Sequence, residues 1–289
     1  MARRCAWLCL LAVCALGGGC APLEPAAKPT ENPFLKPLTL GNDGIVLEVF
    51  FARLSQDDAA QDSALWTDID EQSVPTDLRR QWEANGLRVG YVGGQLPQKL
   101  AQLLESGRAA SSVKRPSTDD PRPAVTRNLM QMQSGNLNEI VASGQIARLA
   151  LVFNDDGQLR GKTYENAEAK FALKAYSKND GRVRLELTPE LEYGEGKARY
   201  VGEDGIFRLD ASRPKQVFDK LLLQTPLGPG QLLVLGHAID KSGSLGYHFF
   251  TEDNNGHRES KLILIRLGQP QQDDLFSQPD KKPAPESKP

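Results

Sequence analysis

Apolar and polar residues alternate along much of this chain, most clearly between residues 171 and 187. Phe171, Leu173 and Ala175 share one face of a first arm, and Val183, Leu185 and Leu187 share the facing side of a second. Asn179-Asp180-Gly181 lies between the arms, and glycine accepts the positive φ that a tight turn needs. The pattern predicts an antiparallel hairpin. Its outer faces carry Lys170, Lys174, Arg182, Arg184 and Glu186, so the sheet is expected to be buried on one side and wet on the other.

The same reading divides the rest of the chain. Residues 45–54 form a mostly apolar strand that carries Glu48. Residues 57–72 read as a helix, with Leu65, Trp66 and Ile69 on one side at helical spacing. Thr76 fits the N-cap of a second helix running to Asn85, and Gly86 fits the C′ position that follows. A strand at 87–92 leads to a helix at 96–106, with Pro97 in its first turn and Leu100, Leu103 and Leu104 inward. The order β-α-α-β-α marks residues 41–106 as a small α+β unit. Residues 107–123 are charged, Ser-rich and broken by Pro116, Pro121 and Pro123, which reads as a linker.

From Val125 the pattern becomes almost entirely β. Strands are expected at 125–132, 138–142 and 148–153, then the hairpin, then a Gly-rich loop at 193–205. Further strands are expected at 206–209, 216–224, 232–238, 247–251 and 261–267. The fold class is therefore α+β, a small N-terminal unit followed by a mainly antiparallel β-domain over 124–268. Residues 269–289 are polar and Pro/Lys-rich and read as a disordered tail.

Composition changes this picture at one end only. The formal net charge of −2 gives no reason to expect nucleic acid as a partner. The four cysteines, Cys5, Cys9, Cys14 and Cys20, all precede residue 21, so the remainder has no disulfide framework and no thiolate metal site. Arg3 and Arg4 precede an apolar run at 5–16, the layout of a secretory signal too short to span a bilayer as a helix. Leu16-Gly-Gly-Gly-Cys20 resembles the lipobox of bacterial lipoproteins, which implies a lipoprotein signal peptide over residues 1–20 with Cys20 as the lipidation site; the alternative is a plain signal peptide cut near Ala21. By the same resemblance, Ala21 after the cysteine implies an outer-membrane location facing the periplasm. The Pro/Ala-rich residues 21–40 read as a tether.

Candidate chemistry is sparse. His237 and His248 flank a turn, with Glu252 or Asp253 as a third ligand for a conceivable zinc site, but the spacing matches no ligand motif. Asp155-Asp156-Gly157 reads as a β-turn, because the alternate acidic positions of a calcium loop are missing. Gly90-Tyr-Val-Gly93-Gly94 lacks the spacing of a phosphate cradle and reads as a strand-to-helix turn. Asp68, Asp70 and Glu71 read as a solvated face, and Trp66 and Trp82 as core. No catalytic, cofactor or metal residue is assigned.

Several phrases of the β half, in their order, resemble the C-terminal β-domain of the secretins. Secretins are the outer-membrane ring proteins of type II and III secretion and type IV pilus systems. The phrases are Asn138-Glu-Ile-Val-Ala-Ser-Gly144, Asp180-Gly-Arg-Val-Arg-Leu-Glu-Leu-Thr-Pro189-Glu190, Arg213, Gly230-Gln231 through Gly236, and Leu245-Gly246-Tyr-His-Phe249. The likeness spans 125–268. His237 stands where the family has a second glycine, and Lys241-Ser-Gly-Ser244 replaces its Pro-containing phrase. The resemblance implies a non-enzymatic envelope lipoprotein with an assembly or interaction domain, linked to protein secretion. Its partners would be the membrane, further copies of itself or an envelope protein. A pore is disfavoured, because the 170–188 arms are shorter than the roughly nine to eleven residues needed to cross a bilayer. The competing reading is an envelope enzyme or solute-binding protein with a site between the two domains.

Overall fold

The first strand explains the architecture. β1 (Gly44–Ser55) is apolar on both faces: Ile45, Leu47 and Val49 enter one core cluster, while Phe50, Ala52 and Leu54 enter another. Such a strand needs cover on both sides. β14 (His257–Leu267) divides in the same way, sending Ile263 and Ile265 one way and Leu262 and Leu264 the other. β12 (Leu232–His237) is buried at every position. These strands join β2 (Leu87–Val92) and β3 (Val125–Gln133) in an antiparallel sheet of order β2-β12-β14-β1-β3. β13 (Thr251–Asn254) pairs with β14 beside them.

The computed structural model describes residues 44–55, 64–112, 124–178, 180–203, 206–254 and 257–268, all within one unit, Leu40–Pro289. The signal at 1–20, Cys20, the tether at 21–40 and the tail at 269–289 lie outside the described residues.

A second sheet holds the expected hairpin. β6 (Gln158–Ser177) and β7 (Val183–Glu192) pair in the predicted sense, with Leu173 opposite Leu187 and Ala175 opposite Leu185. Their inward residues Phe171, Leu173, Ala175, Leu185 and Leu187 are fully buried. β4 (Leu137–Val141) and then β5 (Ile146–Asp155) run along one side of β6, and β10 (Lys215–Val217) and β11 (Leu223–Leu227) pair with β7. β8 (Lys197–Glu203) and β9 (Ile206–Ser212) make a separate two-stranded ribbon. The two larger sheets share one core cluster. The other face of the first sheet is covered by residues 65–69 and by α2 (Gln98–Ser112), through Leu100, Leu103 and Leu104. The class is α+β and mainly antiparallel.

Four expectations are corrected. Residues 41–106 are not a separate unit, because β1 and β2 are strands of the same sheet as β12 and β14. The segment 107–123 is not all linker, since α2 runs to Ser112. The helix expected at 57–72 ends, among the described residues, at Trp66, after helical residues 64–66, and its part at 57–63 lies outside the described residues. After Trp66, Asp70 accepts hydrogen bonds from the Gln72 and Ser73 amides (2.9 and 3.2 Å), a local alternative to helical bonding. The strand at 247–251 is instead α3 (Leu245–Phe250), whose N-cap Ser244 accepts from the Tyr247 amide at 3.2 Å. Smaller shifts place β8 inside the expected loop and break 216–224 at a 3-10 turn, Asp219–Leu221. The second helix, α1 (Thr76–Ala84), starts one residue early, so that Pro75 rather than Thr76 caps it. Gly86 follows its end with φ +72°, as expected of C′.

Candidate functional site

The arms of the β-hairpin are longer than the sequence pattern indicated. β6 continues N-terminally past its pairing with β7 and pairs with β5 from Ile146↔Ala167 to Asp155↔Gln158. Asp156 and Gly157 make the tip, both with positive φ (51° and 82°), which suits an Asp-Gly turn in a two-residue hairpin. This extension roofs a groove of about 750 Å³. One wall is the last turn of α1, with Arg80 and Asn85; the other is the 216–221 segment. Phe153 and Phe218 meet edge-to-face in it, with ring centroids 5.5 Å apart.

Hydrogen bonds fix the roof. Asn85, 2% exposed, donates to the Asn154 carbonyl (3.2 Å) and accepts from the Asn154 amide (2.8 Å), imitating a strand partner. The Val152 amide donates to the Gly243 carbonyl at 2.9 Å, and His248 Nε2 donates to the Ala150 carbonyl at 2.9 Å. The outer edge of β5 is thereby closed by three separate stretches of chain. Lys220 reaches Asp155 at 2.8 Å and also pairs with Asp156, while Arg160 lies 3.3 Å from Asp155. The Lys220 ammonium holds the Asp155 carboxyl below the usual carboxylate range. Arg80 and Lys162 form no ion pair among the described residues; Lys162 instead stands over the Tyr164 ring, 4.7 Å from its centroid.

A second cluster lies on the wet face of the second sheet. Lys170 contacts Glu139, Glu168 and Glu192, and Lys215 contacts Glu139, Glu190 and Glu192, all within 3.3 Å. Burial opposes the Lys215 charge, but these carboxylates outweigh it and raise its pKa. Alternating charges of this kind lock β4, β6, β7 and β10 together across the sheet.

The residues singled out from sequence take structural places. His237 is 4% exposed at the end of β12, and burial, helped by Arg88, lowers its pKa to about 4. His248 is occupied with Ala150, and Glu252 pairs with Lys261. Among the described residues no group of three or more His, Cys, Asp or Glu could hold a metal ion. Gly90 allows close approach, since a Cβ there would lie 2.6 Å from Ile69 and 3.0 Å from the Asp70 carbonyl. Glu71 grips Arg88 with both oxygens (2.9 and 2.7 Å), and Arg88 lies over the Trp66 ring at 4.1 Å. Trp82 is fully buried and donates to the Leu221 carbonyl at 2.9 Å. Sequence reasoning missed the groove itself. Its walls come from three distant segments, and the one local signal was the Asp155-Asp156-Gly157 turn.

No protein-family model matches the chain, and no curated protein matches it. Among solved structures it is similar to the InvG secretin domain β-barrel from the Salmonella SPI-1 injectisome NC-base, at 10% sequence identity and a TM-score of 0.19. The match covers 78% of this chain and 60% of that one, so the chain spans less than two thirds of its length. The fold and site define an α+β protein, mainly antiparallel, with a groove under a projecting hairpin.

Proposed function

We propose that this chain is a non-enzymatic, lipid-anchored envelope protein whose β-rich unit is an assembly or interaction module of the secretin kind. The observation that carries the reading is the set of bare strand edges on an otherwise closed core. β3 pairs only with β1, and β4 only with β6, among the described residues. Leu129 on β3 and Leu137 and Val141 on β4 are more than 45% exposed beside those edges. Bare edges are where a β-module joins a partner strand. The phrases shared with secretins supply the second support, and the lipobox-like end supplies the anchor. Lipid on Cys20 would fix the protein to the outer membrane on its periplasmic side, and residues 21–40 would set its reach.

A module ranks above a pore. The β5–β6 arms are of sufficient length to cross a bilayer, but they carry Arg148, Arg160, Lys162 and Glu165. Charges on a lipid face are destabilising near the midplane. The enzyme or solute-binding reading has the groove in its favour, and the described lining offers no histidine, cysteine or serine side chain to it.

Two measurements test the proposal. Cys20→Ser is expected to move the protein from the membrane fraction to the soluble one; pelleting as before would remove the anchor. Light scattering on the detergent-extracted chain is expected to show a defined oligomer or a stable complex with an envelope protein. A monomer whose β3 and β4 amides exchange as fast in envelope extracts as in pure protein would sink the assembly role.

A further inference from the structure

The projecting hairpin treats its two edges in opposite ways. In an antiparallel pair, residues alternate between exchanging backbone bonds and facing outward. Val152 and Asn154 face outward, as their bonds to Gly243 and Asn85 show. Their partners on β6 are Gly161 and Leu159, and Ala150 faces Thr163. Leu159, Gly161 and Thr163 therefore turn their backbone groups to the other side. The next residue in this series, Glu165, accepts from the Gly194 amide at 2.7 Å, which confirms the phase. Yet among the described residues no hydrogen bond reaches the outward groups of Leu159, Gly161 or Thr163. The β5 edge is closed at three successive outward positions, while the β6 edge is bare at three.

That bare edge borders the groove, which Arg160, Gly161 and Lys162 line. Leu159 beside it is 74% exposed. The charge of the groove is uneven. Asp155 and Asp156 are occupied by Lys220, and Asp219 stands opposite, whereas Arg80 and Lys162 have no carboxylate partner among the described residues. We propose that the groove receives an extended acidic peptide segment, which adds as a strand to the bare edge of β6 at Leu159, Gly161 and Thr163. Its main chain pairs with these three residues, and its carboxylates meet Arg80, Arg160 and Lys162. Strand addition takes affinity from backbone bonds and specificity from alternate side chains. The inference stands on the hairpin and groove, and does not require the chain to be a ring component.

The test uses the full-length chain and a labelled peptide of about ten residues, the upper range of natural strands, alternating threonine and glutamate. Saturable binding is expected, with slowed amide exchange at Leu159, Gly161 and Thr163, and much weaker binding of the threonine–lysine counterpart. Gly161→Pro removes an outward donor and no bond of the hairpin, and edge strands tolerate proline. It is expected to weaken binding at least about tenfold, the loss of a charge-independent backbone contact and its neighbours. Gly161→Ala keeps the amide, finds nothing within 4 Å of its Cβ, and is expected to bind normally. If the proline variant fails to fold, Arg160→Glu with Lys162→Glu serves instead, and should shift preference to the lysine peptide. Absence of binding, binding without protection of the three amides, or equal binding of both peptides overturns the proposal. So does a change in oligomeric mass on Gly161→Pro without peptide, because the edge would then belong to a second copy.

Discussion

His237 and Asn85 show how single buried polar groups hold this protein. Burial and the neighbouring Arg88 charge lower the His237 pKa from 6.5 to about 4. The unfolded chain therefore takes up this proton before the folded one does. Stability present above pH 6.5 is lost as pH falls towards 4, to a total of about 3 kcal/mol from this group. His237→Gln should flatten the difference in unfolding free energy between pH 7.5 and pH 4 relative to the parent chain; identical profiles would reject the assignment. Asn85 completes the backbone bonding of Asn154 from a distant helix end. Asn85→Ala leaves a buried donor and acceptor unpaired and should cost about 2–3 kcal/mol in urea unfolding. A loss below about 0.5 kcal/mol, the range of an ordinary surface change, would show that solvent replaces it freely.

Among the elements, α3 is the clearest case of a contact that excludes alternatives. Gly246 in its first turn lies against the C-terminal end of α1, and a Cβ there would fall 1.9 Å from the Gly86 carbonyl oxygen. Backbone cannot yield as a flexible side chain does. Gly246→Ala is expected to lower the melting temperature by more than about 10 °C or to prevent folding, and a variant within about 2 °C of the parent would refute the close approach; for a unit of this size these thresholds correspond to roughly 3–5 kcal/mol and less than about 1 kcal/mol. Elements with a clean period were legible from sequence. The strand at 87–92 was placed from its sequence, and the buried faces of β6 and β7 follow from alternation. α3 was misread because Tyr247, Phe249 and Phe250 favour strands by composition, and the Ser244 cap is the local sign of a helix. The length of β6 was hidden because residues 158–163 are all exposed and carry one large apolar side chain, Leu159, so the hairpin extension and its groove left no pattern to read.

The whole molecule is joined through its first sheet. Strands from the start of the chain, β1 and β2, lie among strands from its end, β12 and β14. Local periodicity cannot report such pairing, which is why the sequence suggested two units with a linker. The arrangement predicts that a fragment covering 124–289 does not fold alone, since β12 and β14 would each lose a neighbour and expose one face or edge. Co-expression with 41–123 should restore a cooperative transition by circular dichroism; a fragment that melts cooperatively by itself would contradict the single sheet. The pairing of Leu47 with Leu267 also sets a timetable. A chain delivered N-terminus first holds β1 with β3 as its one described neighbour until β14 has emerged. Contacts so distant in sequence close late and slowly. Throughout that interval β1, apolar on both faces, stays covered on one flank only, and the rate of folding is set by when β14 arrives.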